Sequence, residues 1–341
     1  MSFFEKLSHQ ISANAGNAHQ AFAVSILHAQ DIDEFVEMLR GFHLGFMQID
    51  KGTFVAEGVQ IQLAGVLLSA AHYGRALVHS GAPPPKKITF ALGTSRLPAL
   101  WQGRNFGPHD LLMVASGIEI DLVTPAGYGI ATASFPLELV EATADSLGWI
   151  PPTNATEGVV IGLEHSKAEM LRTKFSAAFD ESITRPFNEQ AAHWTPSKQE
   201  DLLRTLLRCT SKSLPSTRPV SNGERARVLK AALTAINDQP DDVLTVGDLC
   251  RIARASERTL YYAFTEHFGL PPAQYMKARR LNGAHNDLCR EHDSSMKIAD
   301  VANKWGFWHL GQFAKDYREW FRELPSDTHQ RKHSTDTGRS E

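Results

Sequence analysis

Arg258, Tyr261 and Tyr262 fall within about one helical turn of each other, and His309, Gln312 and Lys315 recur at three-residue spacing further along the chain. On a helix, such spacings put each set on one face. These side chains have the chemistry to read base pairs. An amide can pair bidentately with adenine, a lysine prefers guanine or a phosphate, and arginine forks onto guanine. Arg318 and Arg322 are of the type that holds phosphate oxygens, which fixes register without reading sequence. An exposed Lys or Gln on a helix is most often merely solvated, so the elements carrying these residues must decide.

Those elements repeat. Residues 244–275 read LTVGDLCRIARASERTLYYAFTEHFGLPPAQY, and residues 296–327 read MKIADVANKWGFWHLGQFAKDYREWFRELPSD. Leu260, Phe264 and Phe268 recur 53 residues later as Phe313, Tyr317 and Phe321. Leu249 recurs as Val301, 52 residues on, so the second turn is one residue longer. Two copies of one unit follow, each a pair of short helices around a tight turn. In the first, Val246, Leu249, Cys250 and Ala253 form an apolar face, Arg254-Ala255 is the turn and Ser256 an N-cap. In the second, Ile298, Val301, Ala302 and Trp305 pack inward and Gly306 supplies positive φ. Phe313, Tyr317, Trp320 and Phe321 are core. A linking helix from about residue 272 to 292 fixes the separation of the two units. This arrangement predicts two recognition helices in successive major grooves, about 34 Å apart.

The second unit and the first together resemble the AraC/XylS family of bacterial transcription regulators. The resemblance covers residues 224–327, and its most specific pieces are SERTLYYAFTEHFGLPPAQYMKARRL and ADVANKWGFWHLGQFAKDY. The phrase WGFWHLGQF resembles the branch that includes the ethanolamine-operon regulator. Carried over, the family's base-reading positions fall on Arg258, Tyr261 and Tyr262, and on His309, Gly311, Gln312 and Lys315. Gly311 brings no side chain and allows close approach. Two departures stand out: Arg254 where the family usually has Gly, and Arg322 where the first unit has Gly269. The family layout implies an N-terminal domain that binds a small-molecule effector and dimerises, promoter half-sites in duplex DNA and RNA polymerase as partners, activation of transcription, a cytoplasmic location and no cofactor.

Composition agrees with a globular chain. Of 341 residues, 42% are apolar and 21% charged, which allows about two domains. The start, MSFFEKLSHQ, lacks the pattern of a secretory signal, and no apolar run is long enough for a membrane span. Net charge is −3. Residues 221–341 carry 18 basic and 17 acidic side chains, so nucleic-acid binding must rest on a few placed cations rather than a broad field. Cys209, Cys250 and Cys289 are scattered and odd in number, which suits a reducing compartment and argues against disulfide or metal use.

The expected fold class is α+β: a β-rich, cupin-like barrel with helices, then an all-α domain with two helix-turn-helix units. The domains are 1–210, a Ser/Pro linker at 211–223, 224–329, and a polar tail at 330–341. Short β-branched runs between Gly41 and Glu138 read as an antiparallel sandwich or barrel. Ile32, Phe35, Val36 and Leu39 have helical spacing, as do Ala168, Leu171, Phe175 and Phe179, then Leu202, Leu203, Leu206 and Leu207, then Ala226, Leu229, Leu233 and Ile236. The helices at 164–180 and 198–209 either cover the sheet or form a symmetric dimer contact. A small barrel holds room for one ligand. His43, His72, Tyr73, Arg75, His79, Trp101, Arg104 and His109 are the polar and aromatic candidates for that pocket, although a lone strand histidine is more often a hydrogen-bonded core or surface group. No His-x-His pair with a nearby carboxylate appears, nor a G-x-S-x-G, P-loop or H-E-x-x-H motif, which disfavours the alternative of a cupin-like enzyme or binding protein with an accessory helical domain. A helical adaptor for proteins would need apolar recognition faces, and Arg258, Gln312 and Lys315 are polar.

Overall fold

The computed structural model describes residues 23–63, 65–148, 158–184, 195–210, 223–238, 244–290 and 297–336. The N-terminal half is two antiparallel sheets. The first has the order β1 (Ala23–Ala29), β3 (Ala56–Gln62), β4 (Leu67–Tyr73), β11 (Tyr128–Pro136), β6 (Lys87–Gly93), β9 (Asp110–Ala115), β12 (Val159–Gly162). The second has the order β2 (His43–Gln48), β5 (Leu77–Ala82), β10 (Ile120–Thr124), β7 (Ala99–Trp101), β8 (Arg104–Phe106). The β-rich part thus reaches beyond 41–138 at both ends, through β1 and β12. Neither showed in the sequence pattern, because β12 is four residues long and β1 runs directly into helix α1 (Ile32–Met38).

The period-2 rule sorts each strand between two cores. Leu68 and Ala70 of β4, and Ala131, Ala133 and Phe135 of β11, face one core. Ala71, Tyr73, Tyr128 and Ile130 face the other, between the sheets. The first core is closed by α2 (Leu137–Ser146), α3 (His165–Thr184) and α4 (Pro196–Thr210). Ala168, Leu171, Phe175 and Phe179 of α3 are fully buried there, with Leu202, Leu203, Leu206 and Leu207 of α4. Of the two readings for these helices, the structure favours cover: their apolar faces are used within the chain. Because both sheet faces are covered, strands such as Leu111–Val114 read as unbroken apolar runs.

The second sheet turns its other face to the helical half. Ile49, Val78 and Val123 join one core with α5 (Gly223–Asp238), α6 (Val246–Ala253), α7 (Glu257–Phe268), α8 (Pro272–Arg290), α9 (Ile298–Lys304) and α10 (Leu310–Phe321). On α5 the buried residues are Val228, Leu229, Ala232 and Ile236. Ala226 and Leu233, expected on that face, are only half-buried and line a cleft described below. The helix α11 (Pro325–Asp336) continues past residue 329, the expected end of the domain, and Arg331 on it pairs with Glu323. Apart from Gly223, the expected linker lies outside the described residues.

The two halves dock through specific polar contacts as well. The Asn282 side chain on α8 accepts from the Gln48 N–H at 2.9 Å and donates to the Gln48 carbonyl at 2.8 Å. β2 is the edge strand of its sheet, so this amide continues the ladder and closes the edge. Further contacts are Lys51 with Glu319 at 2.9 Å, His267 with Asp121 at 2.6 Å, and the Gly52 N–H to the Trp320 carbonyl at 2.7 Å.

Candidate nucleic-acid interface

Each unit is built from local capping and aromatic packing. Thr245 and Asp248 form a reciprocal capping box that starts α6, and the Thr245 hydroxyl and N–H hold the Asp248 carboxyl below its ordinary range. Ser256 caps α7 by accepting from the Thr259 N–H. Leu260, Phe264 and Phe268 are buried, and Phe268 stacks on Tyr275 of α8 with ring centres 4.4 Å apart. In the second unit Phe313, Tyr317, Trp320 and Phe321 are buried as expected. Trp305 lies flat against α8, where a Cβ on Gly283 would come within 2.2 Å of its ring, and its Nε1 donates to Asp287 at 2.7 Å. Nothing in the local pattern around Gly283 signals that fit.

With the cores filled, the opposite faces are free. Arg258, Tyr261 and Tyr262 on α7 are all exposed, as are His309, Gly311, Gln312, Lys315 and Arg318 at and along α10. The Arg258 guanidinium sits 5.5 Å from the Tyr262 ring centre, and Arg225 of α5 covers the same ring at 5.1 Å. Gln312 Nε2 donates to Asp316 at 2.9 Å, and Asp316 pairs with Lys277 of the linking helix at 2.9 Å. One amide hydrogen and the amide oxygen of Gln312 remain available for an adenine edge. Lys315, Arg318 and Arg322 gather around a shallow basic hollow on α10. Trp308, just before α10, is 68% exposed. Sequence reasoning passed over it as one more aromatic in a motif, and its exposure beside α10 is visible only in three dimensions.

Both departures from glycine adopt the conformation glycine would take. Arg254 has φ 49° and Arg322 has φ 66°. Gly306 and Gly269 fill the corresponding left-handed positions at 74° and 70°. A residue with a Cβ there costs about 1 kcal/mol or more. Arg254→Gly is therefore expected to raise stability by about 1 kcal/mol, read as a higher urea midpoint at unchanged slope. A midpoint that stays put or falls would show that the turn carries no such strain.

The eight candidate pocket residues do not converge. Tyr73, His79 and Trp101 are buried between the sheets, where Tyr73 and His79 ring centres are 4.9 Å apart. His79 bonds Thr124 at 2.9 Å, and burial pushes its imidazole down to about 3. Burial also raises the Tyr73 phenol. His43 and His109 are exposed, and His109 packs against His165. His72 and Arg104 are half-buried, and Arg75 bonds the Lys51 carbonyl and pairs with Asp50. None of the eight lines the large cleft of about 890 Å³ between the second sheet and α5, α7 and α8. Its walls mix Met47, Val78, Ile120, Leu229 and Leu233 with the cations Arg225, Lys230 and Arg279 and the carboxylates Glu119, Asp121 and Glu266. Arg225 is paired with Glu266. Arg279 is half-buried, and burial lowers its proton affinity.

Residues 249–331 match a family described as helix-turn-helix domain. The XylDLEGF operon transcriptional activator of Pseudomonas putida is 25% identical over 236 residues, which cover 67% of this chain and 70% of that protein. The XylDLEGF operon transcriptional activator 2 of the same organism is 39% identical over 85 residues, 25% of this chain and 54% of that protein. Among solved structures, the AraC-like transcriptional activator CuxR is similar over 82% of this chain and 91% of that chain, with 17% identity and a TM-score of 0.36.

Proposed function

Because the chain belongs to the AraC/XylS family of helix-turn-helix transcription regulators, we propose that it activates transcription in response to a small molecule, reading promoter half-sites through α7 and α10. One observation carries the reading of DNA. All seven side chains of the two proposed recognition faces, and Gly311 among them, are exposed, while the opposite faces of the same two helices are buried. Arg258 and Gln312 read base edges, and Lys315, Arg318 and Arg322 hold phosphates. Activation is carried over from the named activators it resembles. Contact with RNA polymerase and pairing of two chains on adjacent half-sites belong to the same proposal.

The effector site we favour is the cleft between the halves rather than the interior of the sandwich. Its walls come from both domains, so a ligand there bears directly on how the DNA-binding half is held. Of the cleft's charges, Arg225 is paired with Glu266 and Asp121 with His267, and Lys230 and Arg279 outnumber the remaining Glu119, which with the apolar walls suits an apolar molecule carrying an anionic group.

Binding of the full chain to DNA upstream of its own and neighbouring genes, at two salt concentrations and with competitor DNA, tests the regulator reading. Specific binding with a steep salt slope is expected, and binding that competitor removes completely, with or without candidate effectors, would sink it. Arg279→Ala is expected to keep DNA binding and lose at least tenfold in response to an anionic effector. An unchanged response would place the effector elsewhere.

A further inference from the structure

Asp31, His285 and Cys289 are far apart in sequence, yet they meet in the docked interface. Asp31 is the N-cap of α1, and His285 and Cys289 lie one turn apart on α8, the helix that spaces the two DNA-binding units. All three are buried, at 8%, 9% and 5% exposure. Asp31 Oδ2 lies 3.2 Å from His285 Nε2 and 3.4 Å from Cys289 Sγ, and Sγ lies 3.6 Å from Nε2. An ion bound tetrahedrally at about 2.0–2.3 Å holds its donors about 3.3–3.8 Å apart. The three atoms therefore already form one face of such a polyhedron.

The surroundings orient each donor. Asp31 Oδ1 accepts from the Asp33 and Glu34 N–H groups, which leaves Oδ2 turned toward α8. His285 Nδ1 lies 2.7 Å from the Tyr317 hydroxyl, and that hydroxyl lies 2.8 Å from Thr328 Oγ1, which donates to Glu323. A chain that ends on a carboxylate runs its donors toward it: Nδ1–H to Tyr317, Tyr317 to Thr328, Thr328 to Glu323. Its consequence is a lone pair on Nε2 directed at Asp31 and Cys289. The single Cys289 thiol proton can serve Nε2 or Asp31 Oδ2 but not both, whereas a cation between the three donors serves all of them at once. A divalent ion with one carboxylate and one thiolate is neutral in sum, which removes the penalty of burying net charge.

We propose that Asp31, His285 and Cys289 bind a divalent transition-metal ion of the zinc type, with a fourth position left for water. The oxygen, nitrogen and sulfur set suits zinc and excludes the purely oxygen-loving magnesium and calcium. Tyr317 is a positioning residue, fixing the imidazole through its other nitrogen. The ion joins the first helix of the N-terminal domain to the linking helix, so its binding couples metal supply to the placement of both recognition helices. The cysteine count and spacing pointed away from metal use because two donors lie one helical turn apart and the third comes from the other domain.

The test is titration of the reduced full-length protein with cobalt(II). The expected result is a thiolate-to-cobalt charge-transfer band with the intense visible bands of four-coordinate cobalt, saturating at one ion per chain and displaced by zinc. Cys289→Ser should abolish the charge-transfer band, Tyr317→Phe should weaken binding about ten- to hundred-fold, and Cys209→Ser should change neither. For the unmodified chain, zinc should protect Cys289 from alkylation, read by mass spectrometry of its peptide. Absence of the thiolate band, its survival in Cys289→Ser, or unprotected Cys289 at saturating zinc would each overturn the proposal.

Discussion

Arg258→Ala and Gln312→Ala each weaken binding to a specific operator by about 1–3 kcal/mol, roughly ten- to hundredfold, and leave binding to unrelated DNA nearly unchanged. That is the expected outcome if these side chains read bases. Arg258 is held beside the Tyr262 ring, so little freedom is lost when its fork meets a guanine. Gln312 is steadied by Asp316, which the linking helix anchors through Lys277. The two residues lie on separate units, so their losses should add and the double variant approach nonspecific affinity. Arg318→Ala provides the contrast. As a phosphate contact it should weaken specific and nonspecific binding alike and reduce the salt slope by about one. Competition binding at several salt concentrations separates these cases. If the two alanine variants keep the full ratio of specific to nonspecific affinity, the assigned reading face is wrong.

The second large effect is on stability in acid. His79 is buried between Phe46 and Tyr73 and bonded to Thr124, and its pKa is pushed down to about 3. In the unfolded chain a histidine titrates near 6.5. Between those values the unfolded state binds the extra proton and the folded state does not, so stability falls as pH drops below about 6.5. The slope for one such group is about 1.4 kcal/mol per pH unit, and the loss reaches a few kcal/mol before pH 4. Asp50 and Asp110 act in the opposite sense. Burial raises both, so the folded state takes up their protons first and recovers some stability in the carboxylate range. The steep limb therefore lies between about pH 6.5 and 5. Denaturant unfolding across that range should show it, and His79→Gln should flatten it whatever that variant's absolute stability. An equally steep limb in His79→Gln would assign the acid sensitivity to other groups.

Most of the helical half was legible because its signals are local. Caps, turn residues and apolar positions three and four apart act within one or two helical turns, and repetition of the whole unit made the pattern hard to mistake for chance. The exposed faces of α7 and α10 followed by subtraction: once Leu260, Phe264, Phe313 and Tyr317 are assigned to the core, helical geometry leaves Arg258 and Gln312 outside. The sheets were read less fully. Strands buried on both faces lose the polar–apolar alternation, and the order of strands in a sheet is set by pairings between distant segments.

The sequence by itself determined most helices of the helical half, their inward and outward faces and the repeated helix-turn-helix unit, since each depends on residues a few positions apart. Only the tertiary structure decided what lies between the halves. Asn282 closing the edge of β2, the cleft around Arg279, and the meeting of Asp31 with His285 and Cys289 all join residues from opposite ends of the chain. Such contacts leave no period or motif to find, because they are fixed by how two finished surfaces pack rather than by how any one segment folds.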